Sequence, residues 1–125
     1  MYEKHEYTEL IGKTFVAVEN VSDEELVFVS KDGSKYTFYH MPTCCERVGI
    51  EDIVGELSDL VGSPIVRAEE TTHKDTNPEG VKVPKYQDYF TWTFYNFATV
   101  HGHVTVRWYG TSNGWYSERV DFKAC

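Results

Sequence analysis

Strand-like patterning dominates the chain. Thr14-Phe15-Val16-Ala17-Val18 and Glu25-Leu26-Val27-Phe28-Val29 are short apolar, β-branched runs divided by the turn-like Glu19-Asn20-Val21-Ser22-Asp23. Lys31-Asp32-Gly33-Ser34 then supplies an Asp-Gly pair suited to a tight hairpin and leads into Lys35-Tyr36-Thr37-Phe38-Tyr39-His40. Three antiparallel strands are expected by His40. The C-terminal third is patterned most strongly. From Tyr89 to Phe97, alternation puts Phe90, Trp92 and Phe94 on one face and Thr91, Thr93 and Tyr95 on the other, and the first set is expected in the core. After the His101-Gly102 turn, Val104, Val106 and Trp108 should face inward and Thr105, Arg107 and Tyr109 outward. Ser112-Asn113-Gly114 turns the chain again into Trp115 to Phe122, with Tyr116, Val120 and Phe122 in one register, completing a three-stranded meander.

One segment has a helical period. Between Gly49 and Val61, Ile50, Ile53, Val54, Leu57, Leu60 and Val61 recur at spacings of three and four, while Glu51, Asp52, Glu56, Ser58 and Asp59 take the other face. Gly55 should break it into two short pieces. Strand character resumes at Pro64-Ile65-Val66-Arg67-Ala68, and residues 71–88, with Asn77-Pro78, Gly80 and Pro84 among polar neighbours, read as a long loop. The two halves also resemble each other. Leu10-Ile11-Gly12-Lys13-Thr14-Phe15-Val16-Ala17-Val18-Glu19 aligns without gaps to Leu60-Val61-Gly62-Ser63-Pro64-Ile65-Val66-Arg67-Ala68-Glu69, and Tyr36-Thr37-Phe38-Tyr39-His40 matches Trp92-Thr93-Phe94-Tyr95-Asn96. The pattern marks a candidate internal duplication of a Leu-x-Gly turn, a strand and a hairpin.

The 125 residues, 41% of them hydrophobic, suit a single domain over residues 1–125. Twelve Lys and Arg against twenty Asp and Glu leave a net charge of -8, which argues against gripping a phosphate backbone and so against direct nucleic-acid binding. No apolar run is long enough to cross a bilayer, and Met1-Tyr2-Glu3-Lys4-His5-Glu6 lacks signal-peptide character, so membrane association is not expected and a cytoplasmic location is. Cys44, Cys45 and Cys125 form neither an even framework nor a C-x-x-C clip, and reduced thiols are the simplest expectation.

At Phe38-Tyr39-His40-Met41-Pro42-Thr43-Cys44-Cys45-Glu46, Ile50-Glu51-Asp52-Ile53 and Leu60-Val61-Gly62-Ser63-Pro64-Ile65, the chain resembles a family of small uncharacterised bacteriophage and bacterial proteins. Trp92-Thr93-Phe94-Tyr95, Arg107-Trp108-Tyr109-Gly110 and Ser112-Asn113-Gly114-Trp115-Tyr116-Ser117 extend the resemblance over most of the chain. The resemblance implies a phage or mobile-element setting and an accessory, host-directed role. It lends no catalytic residue.

Several residues invite chemistry. Cys44 and Cys45 near His40 and Glu46 could make an activated thiol, against the plainer reading of small buried residues at a corner. His40, a cysteine, His101 and His103 are acceptable zinc ligands without a recognised spacing, so no metal and no cofactor are expected. The adjacent pairs Glu51-Asp52 and Glu69-Glu70 show no convergence of carboxylates for acid/base work. Glycine-rich phosphate loops and nucleophile elbows are absent. There remains an aromatic group around one guanidinium: Arg107, Tyr109, Asn113, Trp115 and Tyr116 with Tyr95, and Tyr39 as an outlying member. Such a patch stacks on rings and grips carboxylates or phosphates, or else packs as the second face of a sheet.

The expected architecture is α+β, a mainly antiparallel sheet of about six or seven strands with one short helical segment. The expected function is that of a non-enzymatic, phage-type accessory or anti-defence protein. It would sequester a small anionic ligand or block a host protein through the Arg107 surface. Two alternatives are an acidic DNA mimic that inhibits a nucleic-acid-binding protein and a thiol-dependent enzyme using Cys44 or Cys45. Strand edges and rings in excess of what one small domain covers also predict a homodimer.

Overall fold

Gly33 takes a φ of 92° and donates its N–H to the Ser30 carbonyl at 3.0 Å, so the Asp-Gly pair closes the hairpin between β2 (Glu25–Ser30) and β3 (Lys35–Tyr39). The computed structural model describes residues 5–42, 45–79, 89–114 and 117–125. With β1 (Phe15–Val21) these strands form the three-stranded meander expected before His40. Among the described residues five further strands follow: β4 (Arg47–Val54), β5 (Arg67–Lys74), β6 (Tyr89–Thr99), β7 (Gly102–Ser112) and β8 (Asp121–Ala124). They assemble into sheet I, in the order β1-β2-β3-β8, and sheet II, in the order β4-β7-β6-β5, with every strand pairing antiparallel. The sheets pack face to face through rings: Phe28 and Phe97 lie 5.2 Å apart, and Phe38 and Tyr95 4.6 Å apart. Leu10, Leu26, Leu60, Ile65, Val104, Val106 and Trp108 complete the core.

The fold is therefore mainly β, and the α+β expectation is corrected. Regular helical structure among the described residues is confined to two 3-10 turns, Tyr7–Leu10 and Leu57–Leu60, and none of it is long and apolar enough to cross a membrane. The helical period at Ile50 arose from a β-bulge. Ile50 opposes Trp108, Asp52 opposes Arg107 and Ile53 opposes Val106, so Glu51 is an extra residue and Ile50 and Ile53 share the inward face at a spacing of three. Thr71 to Lys74, assigned to the long loop, belong to β5 and pair with β6, and residues 80–88 of that loop lie outside the described residues.

Two other expectations change. Tyr95 opposes Val106 and Phe97 opposes Val104, so the core face of β6 is Thr91, Thr93, Tyr95 and Phe97, and Phe90, Trp92 and Phe94 point away from sheet I. The last strand does not continue the β6–β7 meander: β8 crosses to pair with β3, Phe122 opposite Phe38.

The halves are built alike. Each runs from a 3-10 turn through three consecutive antiparallel strands and then sends a fourth strand to the other sheet, β4 against β7 and β8 against β3. Their junction is reciprocal: Gly12 donates to the Ile65 carbonyl at 2.8 Å and Gly62 to the Phe15 carbonyl at 2.9 Å, residues related by the same offset of 50 read in both directions. Gly12 and Gly62 have φ of 88° and 85°, and Leu10 and Leu60 are both fully buried. The Leu-x-Gly alignment thus corresponds to equivalent positions. The second match does not, because β3 corresponds to β7 by its place in the sheet, and Trp92 to Asn96 lie on β6.

Candidate functional site

Residues directly opposite each other on antiparallel strands share a face, and the pairing of Trp92 with Tyr109 and of Phe94 with Arg107 gathers these four on the outer side of sheet II. Trp92 and Tyr109 are 4.5 Å apart, Trp92 and Phe94 6.1 Å, and Phe90 and Tyr109 6.1 Å. Phe90 and Trp92 are buried although they lie outside the core between the sheets. The segment after β5 is fastened to this face by hydrogen bonds. The Trp92 indole N–H donates to Asn77 at 3.1 Å, the Phe90 N–H donates to the Asp75 carboxylate at 3.0 Å, and the Asp75 N–H returns a bond to the Phe90 carbonyl at 2.7 Å.

Arg107 is committed on two sides. Its guanidinium lies 5.4 Å from the centre of the Phe94 ring and its Nη1 donates to Asp52 at 3.1 Å, across the β4–β7 pairing. An anion reaching Arg107 must compete with that carboxylate.

Tyr109 lies opposite Gly49. A cavity of about 500 Å³ opens there, lined by Tyr109, Thr111, Arg47, Glu51 and the β1–β2 turn at Ser22, Asp23 and Glu24. The turn approaches so closely that the Asp23 carbonyl accepts the Ile50 N–H at 2.6 Å, and a Cβ at position 49 would stand 2.9 Å from that carbonyl oxygen. Only glycine fits without displacing the turn. Three acidic residues, Asp23, Glu24 and Glu51, and one arginine, Arg47, line this cavity.

The other proposed site residues are placed as follows. Tyr95 is not on the Arg107 face. It lies in the core, 2% exposed, and its hydroxyl donates to Glu70 at 2.5 Å; burial, then the hydrogen bond to Glu70 and its charge, push the phenol far above its usual range. Asn113 is exposed just beyond β7, and Trp115 and Tyr116 lie outside the described residues. Tyr39, on sheet I, has the Lys123 ammonium 4.5 Å from its ring centre.

Of the cysteines, Cys44 lies outside the described residues, Cys45 is disulfide-bonded and Cys125 is free and exposed, so the expectation of reduced thiols does not hold at Cys45. His40 and Glu46 do meet, at 3.1 Å. His101 bonds Ser63 at 2.8 Å, and His103 is exposed. Among the described residues no group of three or more His, Cys, Asp or Glu is arranged to hold a metal. The adjacent carboxylates diverge: Asp52 pairs with Arg107, Glu69 with Arg67 at 2.9 Å, and Glu70 with Tyr95.

A family model matches residues 8–122. The chain belongs to the DUF7448 family, a domain of unknown function. No curated protein and no solved structure matches it. Within this DUF7448 domain, sequence reasoning brought together Arg107 and Tyr109 but missed Trp92, Phe94, Gly49 and Arg47. It also missed a second repeat, Glu46-Arg47-Val48 and Glu118-Arg119-Val120, which leads into β4 and β8, the two strands exchanged between the sheets. In both copies the glutamate side chain is withdrawn from solvent and the arginine exposed. Glu46 accepts from His40, and Glu118 accepts from the Thr91 hydroxyl at 2.7 Å and from the Ser112 hydroxyl.

Proposed function

We propose that this DUF7448 domain is a non-enzymatic binding protein that takes a small ring-bearing ligand in the cavity beside Tyr109. The supporting observation is the position of Tyr109 itself, backed by Trp92 on one side and bordering the Gly49 cavity on another. A ring held by its neighbours offers a stacking surface at low entropic cost. The charges bordering the cavity favour a neutral or cationic ring over the anion first expected, since Asp23, Glu24 and Glu51 outnumber Arg47. The phage-type accessory role, action in the host cytoplasm and self-association into a homodimer are parts of the same proposal and rest on the sequence resemblance and on strand-edge bookkeeping. The matching order of elements in the two halves further supports reading them as copies of one unit.

The test is native mass spectrometry of the protein purified from its own host, beside the Tyr109→Ala variant. The expected result is a small-molecule adduct on the parent protein that is lost from a variant which still unfolds cooperatively and keeps the parent's far-ultraviolet spectrum. A bare chain mass for the parent, or an adduct retained by the variant, overturns the reading. A co-purifying protein in place of a small molecule assigns the face to a host partner instead.

A further inference from the structure

His40 follows β3, Glu46 precedes β4, and Arg119 lies on the approach to β8, so these three residues meet where the strand exchange between the sheets is tied off. The His40 Nε2 is 3.1 Å from a Glu46 carboxylate oxygen and its Nδ1 is 2.7 Å from the Arg119 carbonyl oxygen. The side chains of His40 and Glu46 are only 7% and 0% exposed, so water does not substitute freely for either bond. A carbonyl and a carboxylate both accept and neither donates, whereas a neutral imidazole carries one N–H and one lone pair. In either neutral tautomer, one ring nitrogen would aim its lone pair at an acceptor. Both bonds form only when the pair holds one further proton.

We infer that His40 and Glu46 form a proton-dependent latch, one that fastens the β3–β4 connection to the approach of β8 when the extra proton is present and releases it when the proton leaves. Charged and titratable groups face the ring from several elements. Glu24 and Glu25 border it from the β1–β2 turn and β2, Glu46 and Arg47 from the entry to β4, and Tyr39 from β3, around a cavity of about 320 Å³. From β8 and its approach come Arg119 and Asp121, the latter accepting from the Met41 N–H at 3.0 Å and from Arg119 Nε at 3.1 Å, together with Lys123 above Tyr39. Among these described groups four carboxylates stand against three cations. Glu118, in the corresponding place of the second half, supplies an internal control. Its donors are the hydroxyls of Thr91 and Ser112, which keep their protons throughout the range in which histidine titrates. The latch does not rest on the Tyr109 cavity taking a ligand, although Glu24, Arg47 and Val48 line both spaces.

Native-state hydrogen exchange of the full chain, corrected for intrinsic exchange rates and followed from about pH 6 to about pH 8.5, tests this. The expected result is a fall in protection of the β3–β8 amides, up to about tenfold per pH unit once the ring titrates, with the β6–β7 amides unchanged. His40→Gln should remove that pH dependence and Glu118→Gln should leave it in place. Imidazole ¹⁵N shifts of the unaltered protein at about pH 6 read the ring directly and do not depend on any variant folding. Protons on both nitrogens, or one N–H with the proton on Glu46, support the latch. A single neutral tautomer facing an ionised carboxylate overturns it, as does a β3–β8 pH profile identical in parent and His40→Gln.

Discussion

The outward faces of sheets I and II occupy corresponding places in two halves built alike, and their side chains differ in kind. On sheet I the face is made of Val27, Val29 and Thr37 among Glu19, Glu25, Lys35 and Lys123, an ordinary mixture of aliphatic stems and solvated charge. On sheet II the same layer holds Phe90, Trp92, Phe94 and Tyr109 with the Arg107 guanidinium laid on Phe94. The Leu-x-Gly turns, the three-stranded meanders and the Glu-Arg-Val entries to the exchanged strands occur in both halves, and those features account for how the chain folds. Among the described residues a packed cluster of rings occurs on one side only, the outward face of sheet I carrying the single ring of Tyr39 with Lys123 over it. Folding a strand of this architecture does not require them, as sheet I demonstrates, so the ring face is where a binding role is best sought.

Removing a side chain from between the sheets should cost most. Phe97, fully buried against Phe28, Phe38 and Tyr95, is common ground to both halves, and Phe97→Ala should lower stability by about 3–5 kcal/mol in urea unfolding. Trp92→Ala tests whether the outer face is a second core. With Trp92 only 1% exposed and its indole N–H bonded to Asn77, a loss of about 3 kcal/mol is expected there too. A loss under about 1 kcal/mol would show that the rings contribute little to the fold and make the contrast with sheet I sharper still.

Next in size is Glu118, the counterpart of Glu46 in the second half. Glu118→Ala leaves the Thr91 and Ser112 hydroxyls without their acceptor at a buried position, and about 1–3 kcal/mol should be lost without change in the far-ultraviolet spectrum. Tyr95 gives a pH-dependent effect in the interior. Its phenol is raised in the folded state, so its contribution to stability is complete below the ordinary tyrosine value of about 10 and declines as pH rises above it, where the unfolded chain ionises and the folded one does not. Alkaline unfolding monitored by tyrosine absorbance should therefore begin above that value, and Tyr95→Phe should flatten the slope.

How far the sequence could be read follows from which interactions decide each element. The β2–β3 hairpin and the facing of β7 were legible because they depend on neighbours in the chain: an Asp-Gly turn, and aliphatic residues alternating with Thr and Arg. The facing of β6 was not, since apolar rings lie on both of its sides and only the partners opposite them decide which side meets sheet I. The strand at Ile50 imitated a helix through the extra residue of its bulge, and the path of β8 depends on a sheet formed nearly ninety residues earlier. For the candidate site, Arg107 and Tyr109 were found together by alternation, whereas Gly49 and Arg47 come from a different strand that only the fold brings beside them. The Glu-Arg-Val repeat was present to be read, but its offset differs from that of the Leu-x-Gly repeat, so a search at one fixed period passes over it.

The smallest effect bears most directly on what the ring face prefers to bind. Arg107 and Asp52 form an ion pair whose side chains are 26% and 51% exposed, and a double-mutant cycle on Arg107→Ala and Asp52→Ala should give a coupling of only about 0.2–1 kcal/mol, falling as salt is added. Weak coupling does not make the pair idle, because the Asp52 carboxylate offsets the positive charge that an anionic ligand would seek at Arg107. Asp52→Asn keeps the shape of the partner and removes its charge. If the face is built for neutral or cationic rings, this variant should leave the stability within about 0.5 kcal/mol of the parent and shift preference toward anionic aromatic probes, as read by chemical-shift changes at Tyr109. If the parent already binds such anions as tightly as Asp52→Asn does, Asp52 is no barrier, and the ligand class inferred from the charges around Tyr109 is wrong even though the face itself is retained.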